Sequence, residues 1–246
     1  MLIERSPSPQ PSPARGEGAG RSGCNGVPSP LAGEGQGEGA FFRQPEDFYL
    51  FLMGARAPDI DEFDAHVVAS ILAISFSEAA TEGGSLQNAT GLAQGDLNEL
   101  VAEVFPKAAS WRFLGGAKVE RSADERCLVD LLTACATSRT KFEARLAVMM
   151  ARRAQRPNHL WQDLGLSSRR DLSELMTRHF APLARRNAQD MKWKKFFYRA
   201  ICAEASYALC SAPSCAECDD FNTCFGEETG ESLLARARRS HEKGAV

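Results

Sequence analysis

The stretch Asp59-Ile-Asp-Glu-Phe-Asp-Ala-His-Val-Val-Ala-Ser-Ile-Leu-Ala-Ile-Ser-Phe-Ser-Glu-Ala-Ala80 carries the pattern that decides the fold class. Its apolar side chains recur at steps of three and four residues, a spacing typical of an α-helix. These side chains belong to Ile60, Phe63, Val67, Ile71 and Ile74. The pair Gly83-Gly84 predicts the end of this helix. No segment of the chain alternates convincingly with a period of two, so the sequence predicts an all-α fold.

Further helices are indicated on both sides of this stretch. Residues 46–53 include three aromatic side chains, Phe48, Tyr49 and Phe51, and predict either a helical turn or a lead-in segment packed on the core. Downstream, a polar residue followed three positions later by an acidic residue marks helix starts. These pairs are Asp96 with Glu99, Ser122 with Glu125, Thr140 with Glu143, and Ser168 with Asp171. A short helix is predicted over 158–164, closed by Gly165, and a longer one from about Ala184 to Ala208.

The first forty residues differ in composition from the rest of the chain. They are rich in Pro, Ser, Gly and Glu and hold almost no large apolar side chains. Such a segment cannot bury enough surface to offset the entropy lost on ordering. We therefore expect a disordered low-complexity tail over residues 1–40 and one helical domain over residues 41–246.

Composition narrows the classes of function. The net charge of −3 does not favour a nucleic-acid-binding protein. No apolar run approaches the ~20 residues that span a bilayer, and no apolar signal region follows Met1. No Ser/His/Asp set, phosphate-binding loop or H-E-x-x-H motif indicates hydrolysis or nucleotide binding. Eight cysteines, half of them clustered, indicate metal ligation in a reducing cytoplasm rather than disulfides.

The cysteine cluster is the strongest functional signal. Cys210, Cys215, Cys218 and Cys224 are spaced C-x4-C-x2-C-x5-C among turn-forming residues. Four thiolates that converge on one point suit zinc or an iron–sulfur cluster. The spacing matches neither paired zinc knuckles nor the bacterial ferredoxin run, so these residues alone leave both metals open.

Several other residues have two interpretations. Cys127 and Cys135 lie on an apolar stripe of a predicted helix, which favours core positions over metal ligation. Cys202 is a fifth ligand or transfer thiol in one interpretation and a buried helix residue in the other. His159 and His179 are extra nitrogen ligands or ordinary hydrogen-bonded histidines.

Further candidate functional residues form a basic stripe or lie next to the motif cysteines. Lys192, Lys195 and Arg199, with Lys194 nearby, form either a solvated helix face or a surface that attracts an acidic partner or an oxyanion. Asp219 and Asp220 are expected to support the turn between cysteines. Phe221 and Phe225 are placed to exclude water from a cluster.

The C-terminal half resembles a known family. Asn158-His-Leu-Trp-Gln-Asp-Leu-Gly-Leu166, Leu172-Ser-Glu-Leu-Met-Thr-Arg-His-Phe180 and Met191-Lys-Trp-Lys-Lys-Phe-Phe-Tyr198 lead into the cysteine motif and Phe225-Gly226. Together these segments are similar to the NifQ family, specifically from about His159 to Gly226 and more weakly from Phe41 to Arg156. The resemblance does not cover the first forty residues.

The resemblance implies a concrete function. NifQ proteins carry a molybdenum–iron–sulfur cluster and supply molybdenum for the iron–molybdenum cofactor of nitrogenase. It implies that Cys210, Cys215, Cys218 and Cys224 are the cluster ligands and that the protein is a metal carrier rather than an enzyme. The implied partners are the nitrogenase iron protein, the cofactor scaffold complex, and molybdate or another molybdenum source. The alternatives are an iron–sulfur electron-transfer protein and a structural zinc-binding interaction module.

Overall fold

Helices account for the regular structure throughout the described part of the chain, which comprises residues 42, 44–109, 119–204, 228 and 230–236 of a computed structural model. No strand occurs among these residues, which confirms the all-α fold. The predicted tail over residues 1–40 lies outside them. The helices are α1 (Pro45–Gly54), α2 (Glu62–Glu82), α3 (Leu86–Thr90), α4 (Gln94–Val104), α5 (Ala123–Ala134), α6 (Lys141–Ala154), α7 (Leu160–Asp163), α8 (Arg169–His179), α9 (Ala181–Arg186) and α10 (Trp193–Glu204), with a 3-10 turn at Pro106–Ala108.

Helix α2 is the centre of the core. It begins after Asp61, whose carboxylate accepts hydrogen bonds from the backbone N–H groups of Phe63 and Asp64, and it ends at Gly83 with φ 68°. Between Ala65 and Ser75 every residue except His66 is buried, so α2 is covered on nearly all faces rather than along one stripe. Helices α1 and α3 pack against it.

Length and hydropathy give α2 one further property. Among the described residues, α2 is the one helix that is long and apolar enough to cross a membrane. The sequence predicted no apolar run of that length. In this structure 56% of the most apolar 18-residue stretch of α2 is buried against the rest of the chain. That burial is the pattern of a core helix.

Most predicted helix starts are confirmed by their caps. Thr140 with Glu143 and Ser168 with Asp171 form complete capping boxes. The Ser122 hydroxyl caps α5 by accepting from the Glu125 N–H at 3.1 Å.

One predicted start is wrong. Helix α4 begins at Gln94, before Asp96, and no side chain caps it. Asp96 and Glu99 instead contact the guanidinium of Arg145, together with Glu103 at 3.0 Å. Arg145 is 5% exposed. Leaving this buried cation without carboxylates would cost more free energy than leaving the helix start without a cap.

The long helix predicted from Ala184 to Ala208 is wrong at its beginning. Helix α9 ends at Arg186, and α10 begins only at Trp193. Between them the Asn187 side chain folds back on the backbone: its Oδ1 accepts from the Met191 N–H and its Nδ2 donates to the Met191 carbonyl, both at 2.9 Å. Asparagine commonly closes turns in this way, which explains the break.

Aromatic side chains hold α10 on the body. Trp193, Phe196 and Phe197 are all at most 9% exposed, and their ring centroids lie 5.8 to 6.2 Å apart. Burial of each ring contributes roughly 2 kcal/mol. Helix α10 therefore has a fixed position, and its C-terminal end leads toward the cysteine motif.

Candidate metal centre

The four predicted ligands lie outside the described residues. Cys210, Cys215, Cys218 and Cys224 fall between Glu204 and Glu228, as do Asp219, Asp220, Phe221 and Phe225. Their assignment as ligands stays a prediction. Within the described ranges, no group of three or more His, Cys, Asp or Glu side chains is arranged to hold a metal ion. The structure defines instead how the body of the protein holds the two ends of this cysteine segment, residues 205–227.

The chain enters the cysteine segment from α10 and returns to the body at Glu228. The Glu228 side chain is only 4% exposed, and its Oε1 lies 3.1 Å from Arg169 Nη1 and 3.6 Å from His159 Nδ1. Three residues later the Glu231 carbonyl accepts a hydrogen bond from Gln162 Nε2 at 2.9 Å. The exit of the segment is thus fixed on the region around α7 and the start of α8.

Gly230 permits this close approach. Its φ is 135°, and a Cβ atom there would lie 2.7 Å from Gln162 Nε2. A side chain at this position would be strained by the positive φ, and the Gln162 amide that binds the Glu231 carbonyl would have to move.

A buried ion pair fixes the first turn of α10 to the same region. Lys194 Nζ lies 2.5 Å from Asp163 Oδ2, and the Asp163 side chain is fully buried. The other Asp163 oxygen accepts from Asn158 Nδ2 at 2.9 Å. Burial lowers the pKa of Lys194 below the usual lysine range, although the nearby carboxylates of Asp163 and Glu228 act in the opposite direction.

A second buried cation links this region to the central helix. Arg153 is 1% exposed, and its Nε donates to the Asp163 carbonyl at 2.6 Å. Its two terminal nitrogens form a bidentate pair with Glu78 on α2 at 2.6 and 2.8 Å. Bidentate charge-assisted bonds of this kind fix orientation as well as distance.

These contacts place the two ends of the cysteine segment at opposite ends of α10. Glu228 lies near Lys194 in the first turn, whereas residue 205 follows Glu204 in the last turn. Ten helical residues separate these turns by about 15 Å. The segment therefore connects two fixed points on the body.

Three buried polar atoms beside this region have no hydrogen-bond partner in the described part of the chain. They are Glu228 Oε2 and the indole Nε1 atoms of Trp161 and Trp193. Buried polar groups are almost always paired with protein, water or an ion. A hard oxygen and two N–H donors thus lie on the side of the body where the cysteine segment returns at Glu228.

Both candidate histidines have carboxylate partners. His159 lies against Glu228, and His179 lies between Asp64, at 3.0 Å from its Nε2, and Glu143, at 3.6 Å from its Nδ1. His179 is therefore a hydrogen-bonded histidine, as one interpretation predicted. For His159, beside the end of the cysteine segment, both interpretations stay predictions.

The three cysteines outside the motif that fall within the described residues have different surroundings. Cys135 is half-buried and packs against the core, as predicted. The core prediction for Cys127 is wrong, because its side chain is exposed. The buried face of α5 follows Leu128, Leu131 and Leu132, and one position on a helix turns the side chain by about 100° from Leu128. For Cys202 only the backbone is described, as part of α10.

The predicted basic stripe consists of Lys192, Lys195 and Arg199, and the neighbouring Lys194 does not join it. Lys194 turns inward to Asp163 and is not part of it. Lys195 and Arg199 are exposed and Lys192 is half-buried. Arg199 shares the lining of an open groove with Arg186 from the end of α9.

Sequence reasoning missed the residues that hold the ends of the cysteine segment. Arg153, Asp163 and Arg169 were not singled out, because their partners lie far along the chain: Glu78 is 75 positions from Arg153, and Lys194 is 31 positions from Asp163. A usable signal existed in Asp163 and Lys194, which are charged residues within otherwise apolar helix faces.

Comparisons with known proteins match the part of the chain that contains the cysteine motif. The NifQ family profile matches residues 67–226, which include all four motif cysteines. Protein NifQ homolog from Sinorhizobium fredii is 38% identical over 173 residues, covering 70% of this chain and 75% of the relative. Protein NifQ from Rhodobacter capsulatus is 38% identical over 165 residues, covering 67% of this chain and 91% of the relative. Protein NifQ from Azotobacter vinelandii is 46% identical over 71 residues, covering 29% and 36%. No solved structure matches the chain.

Proposed function

Because the chain belongs to the NifQ family of nitrogen fixation, we propose that it carries a molybdenum–iron–sulfur cluster and delivers molybdenum for assembly of the iron–molybdenum cofactor of nitrogenase. The observation that carries this proposal is the motif of Cys210, Cys215, Cys218 and Cys224 inside the family-matched region. These four thiolates would hold the cluster. The protein acts in this proposal as a cytoplasmic metal carrier rather than as an enzyme.

The donor set fits this cargo. Soft thiolates bind the iron atoms of iron–sulfur clusters, and molybdenum can share the bridging sulfides. Zinc also accepts four thiolates, so the ligand chemistry alone does not decide between the metals. The buried Glu228 oxygen beside the end of the cysteine segment is a hard donor of the kind that a purely thiolate zinc site does not require.

The anchoring of the cysteine segment supports a carrier role. A donor must retain its metal until a recipient arrives and must then release it. The body holds the segment through Glu228 with Arg169 at one end and through α10 at the other. The molybdenum source would be molybdate or a related species, and the recipients would be the nitrogenase iron protein and the cofactor scaffold complex.

The decisive experiment is metal and sulfide analysis of the anaerobically purified chain. Molybdenum together with iron and sulfide is expected. Iron and sulfide without molybdenum would indicate an electron-transfer protein, and zinc would indicate a structural module. Either result would overturn the proposal.

Single substitutions then test the ligand set. Replacement of any one of Cys210, Cys215, Cys218 and Cys224 by alanine is expected to lower metal and sulfide content sharply while the helical circular dichroism persists. Cys127→Ala is the matched control, since Cys127 is an exposed cysteine on a helix. Full metal content in a motif variant would remove that residue from the site.

A further inference from the structure

An open groove runs between the turn that joins α9 to α10 and the adjacent side of α10. Its cavity volume is about 520 Å³. The lining includes Arg186, Met191, Phe196, Arg199, Ala200 and Ala203. This groove is separate from the buried ion pairs that fix the first turn of α10.

The floor of the groove is apolar and rigid. Met191, Phe196 and Ala200 are 5%, 9% and 5% exposed, and all three belong to the hydrophobic core cluster. The Asn187 side chain fixes the backbone of Met191 through two hydrogen bonds. The groove is therefore preformed, which lowers the ordering cost of binding an apolar side chain.

The rim of the groove is basic in a chain whose net charge is negative. Between residues 181 and 204 there are six basic residues and two acidic ones, whereas the whole chain carries −3. Lys194 turns away from the groove to Asp163. The acidic Asp190 is paired with Arg169 at 2.9 Å. No acidic side chain of the described residues lines the groove.

Size and lining together select the class of occupant. A volume of about 520 Å³ lies within the range of about 300–1,000 Å³ that holds a group much larger than a bare tetrahedral oxyanion. An apolar floor requires apolar side chains, and arginines at the rim favour carboxylates. An acidic amphipathic segment of a partner protein meets both requirements, and a helix laid into a groove is a common form of such binding.

We propose that this groove docks an acidic amphipathic segment of a partner protein. The groove extends to Ala203, seven positions before Cys210 in the sequence. Seven residues span at most about 25 Å, so a docked partner is held close to the first motif cysteine. The identity of this partner as the recipient of molybdenum rests on the proposed function, but the affinity of the groove for an acidic segment does not.

The test measures binding of a defined probe to the full-length chain. The probe is a fluorescein-labelled helical peptide with leucines four residues apart and glutamates on the flanking positions. Fluorescence anisotropy is expected to show saturable binding that weakens as salt rises. A matched peptide with glutamine in place of glutamate is expected to bind at least tenfold more weakly.

Three variants localise the binding. Arg186→Glu with Arg199→Glu is expected to weaken the glutamate peptide at least tenfold. The control, Lys107→Glu with Arg170→Glu, changes the net charge equally at exposed positions outside the groove lining and should stay within twofold. Ala203→Trp fills the groove from an exposed position without a change in charge and is expected to weaken binding at least tenfold.

Several results would overturn the groove assignment. These are no saturable binding by the parent chain, equal affinity for both peptides, an equal loss in the control pair, or unchanged affinity in Ala203→Trp with intact circular dichroism. Displacement of the peptide by millimolar molybdate but not by sodium chloride of equal ionic strength would assign the groove to a small oxyanion instead. Metal analysis of the same preparations keeps the two proposals apart. Peptide binding by a chain that lacks molybdenum supports the groove and contradicts the proposed function.

Discussion

Lys194 at the start of α10 and Asp163 at the end of α7 form an ion pair with Nζ and Oδ2 2.5 Å apart, and the Asp163 side chain is fully buried. Lys194 Nζ also donates to the Arg156 carbonyl. This one ammonium group therefore joins α10 to α7 and to the end of α6. Through these two contacts, Lys194 helps to hold α10, the helix that precedes the cysteine segment, against the body of the protein.

Lys194→Met is expected to lower the free energy of unfolding by about 3 kcal/mol, because it leaves the Asp163 carboxylate buried without its cation. Urea denaturation followed by circular dichroism measures this loss. Lys195→Met is the matched control, since Lys195 is the exposed neighbour, and it should stay within about 0.5 kcal/mol. A second substitution, Asp163→Asn in the Lys194→Met background, should recover part of the loss. Equal stability of the two single variants would contradict the role given to the pair.

Two glycines with the same backbone conformation should respond differently to alanine. Gly165 and Gly83 have φ values of 72° and 68°. A Cβ at Gly165 would lie 2.7 Å from the Ser70 carbonyl oxygen on α2, whereas a Cβ at Gly83 meets nothing within 4 Å. Gly83→Ala is expected to cost about 1 kcal/mol from backbone strain alone. Gly165→Ala should cost at least about twice as much, because the loop after α7 must move away from α2. Thermal unfolding of both variants checks the ratio, and equal costs would mean that the loop adjusts freely.

Stability should fall in mildly acidic solution because of His66. Burial lowers the pKa of His66 below its usual value of 6.5, and the carboxylate of Asp171 opposes this only in part. The unfolded chain, with the higher pKa, takes up more protons as the pH falls, so unfolding is favoured. The contribution of His66 is fully present above about pH 6.5 and decreases as the pH falls toward the lower pKa of the folded state.

The His66 contribution can be isolated by a difference measurement. The free energy of unfolding is measured between pH 7.5 and 5 for the parent and for His66→Gln, so that all other titrating groups cancel. The parent is expected to lose stability more steeply below pH 6.5, by up to about 1.4 kcal/mol per pH unit. The variant should be less stable at neutral pH by about 1 kcal/mol, since Tyr49 Oη loses its contact with His66 Nδ1 at 2.9 Å. Parallel pH profiles for the two proteins would refute this assignment.

Cys127 in α5 and Cys135, which directly follows its last residue, give a direct test of the helix register. Cys127→Ala is expected to change stability by less than about 0.5 kcal/mol, because its side chain is exposed. Cys135→Ala should cost about 1 kcal/mol, because Cys135 packs against the core. Alkylation by iodoacetamide should modify Cys127 faster than Cys135 in the native protein. The reverse order of reactivity would show that the face of α5 is assigned wrongly.

Local signals in the sequence were sufficient for most of the helices. The pairs Thr140 with Glu143 and Ser168 with Asp171 mark helix starts because the capping bonds join residues three positions apart. Such bonds form whatever the tertiary structure is. Asp96 and Glu99 show where this fails, because the same local pattern is used to neutralise Arg145 more than forty positions away.

The surroundings of the cysteine segment could not be predicted in the same way. The hydrogen bond from the Met191 N–H to Asn187 Oδ1 interrupts a stretch that otherwise has helical composition. The pairs of Arg153 with Glu78 and of Arg169 with Glu228 join distant parts of the chain, and no periodicity relates them. The spacing of the cysteines in the sequence thus predicted them as ligands. The ion pairs that hold the ends of the cysteine segment could be identified only from the three-dimensional structure.

The attachment of the cysteine segment at Glu204 and Glu228 has a thermodynamic consequence for metal capture. Closing a flexible chain of this length costs configurational entropy that grows with the logarithm of the number of residues. Here the folding of the helical body already restrains both ends, at α10 and at the Arg169–Glu228 pair. If the four motif cysteines bind metal as proposed, these two restraints would raise the effective molarity of their thiolates above that on a free tail. Under that proposal the metal affinity would depend on the packing of α10 and on the Arg169–Glu228 pair as well as on the four sulfur atoms.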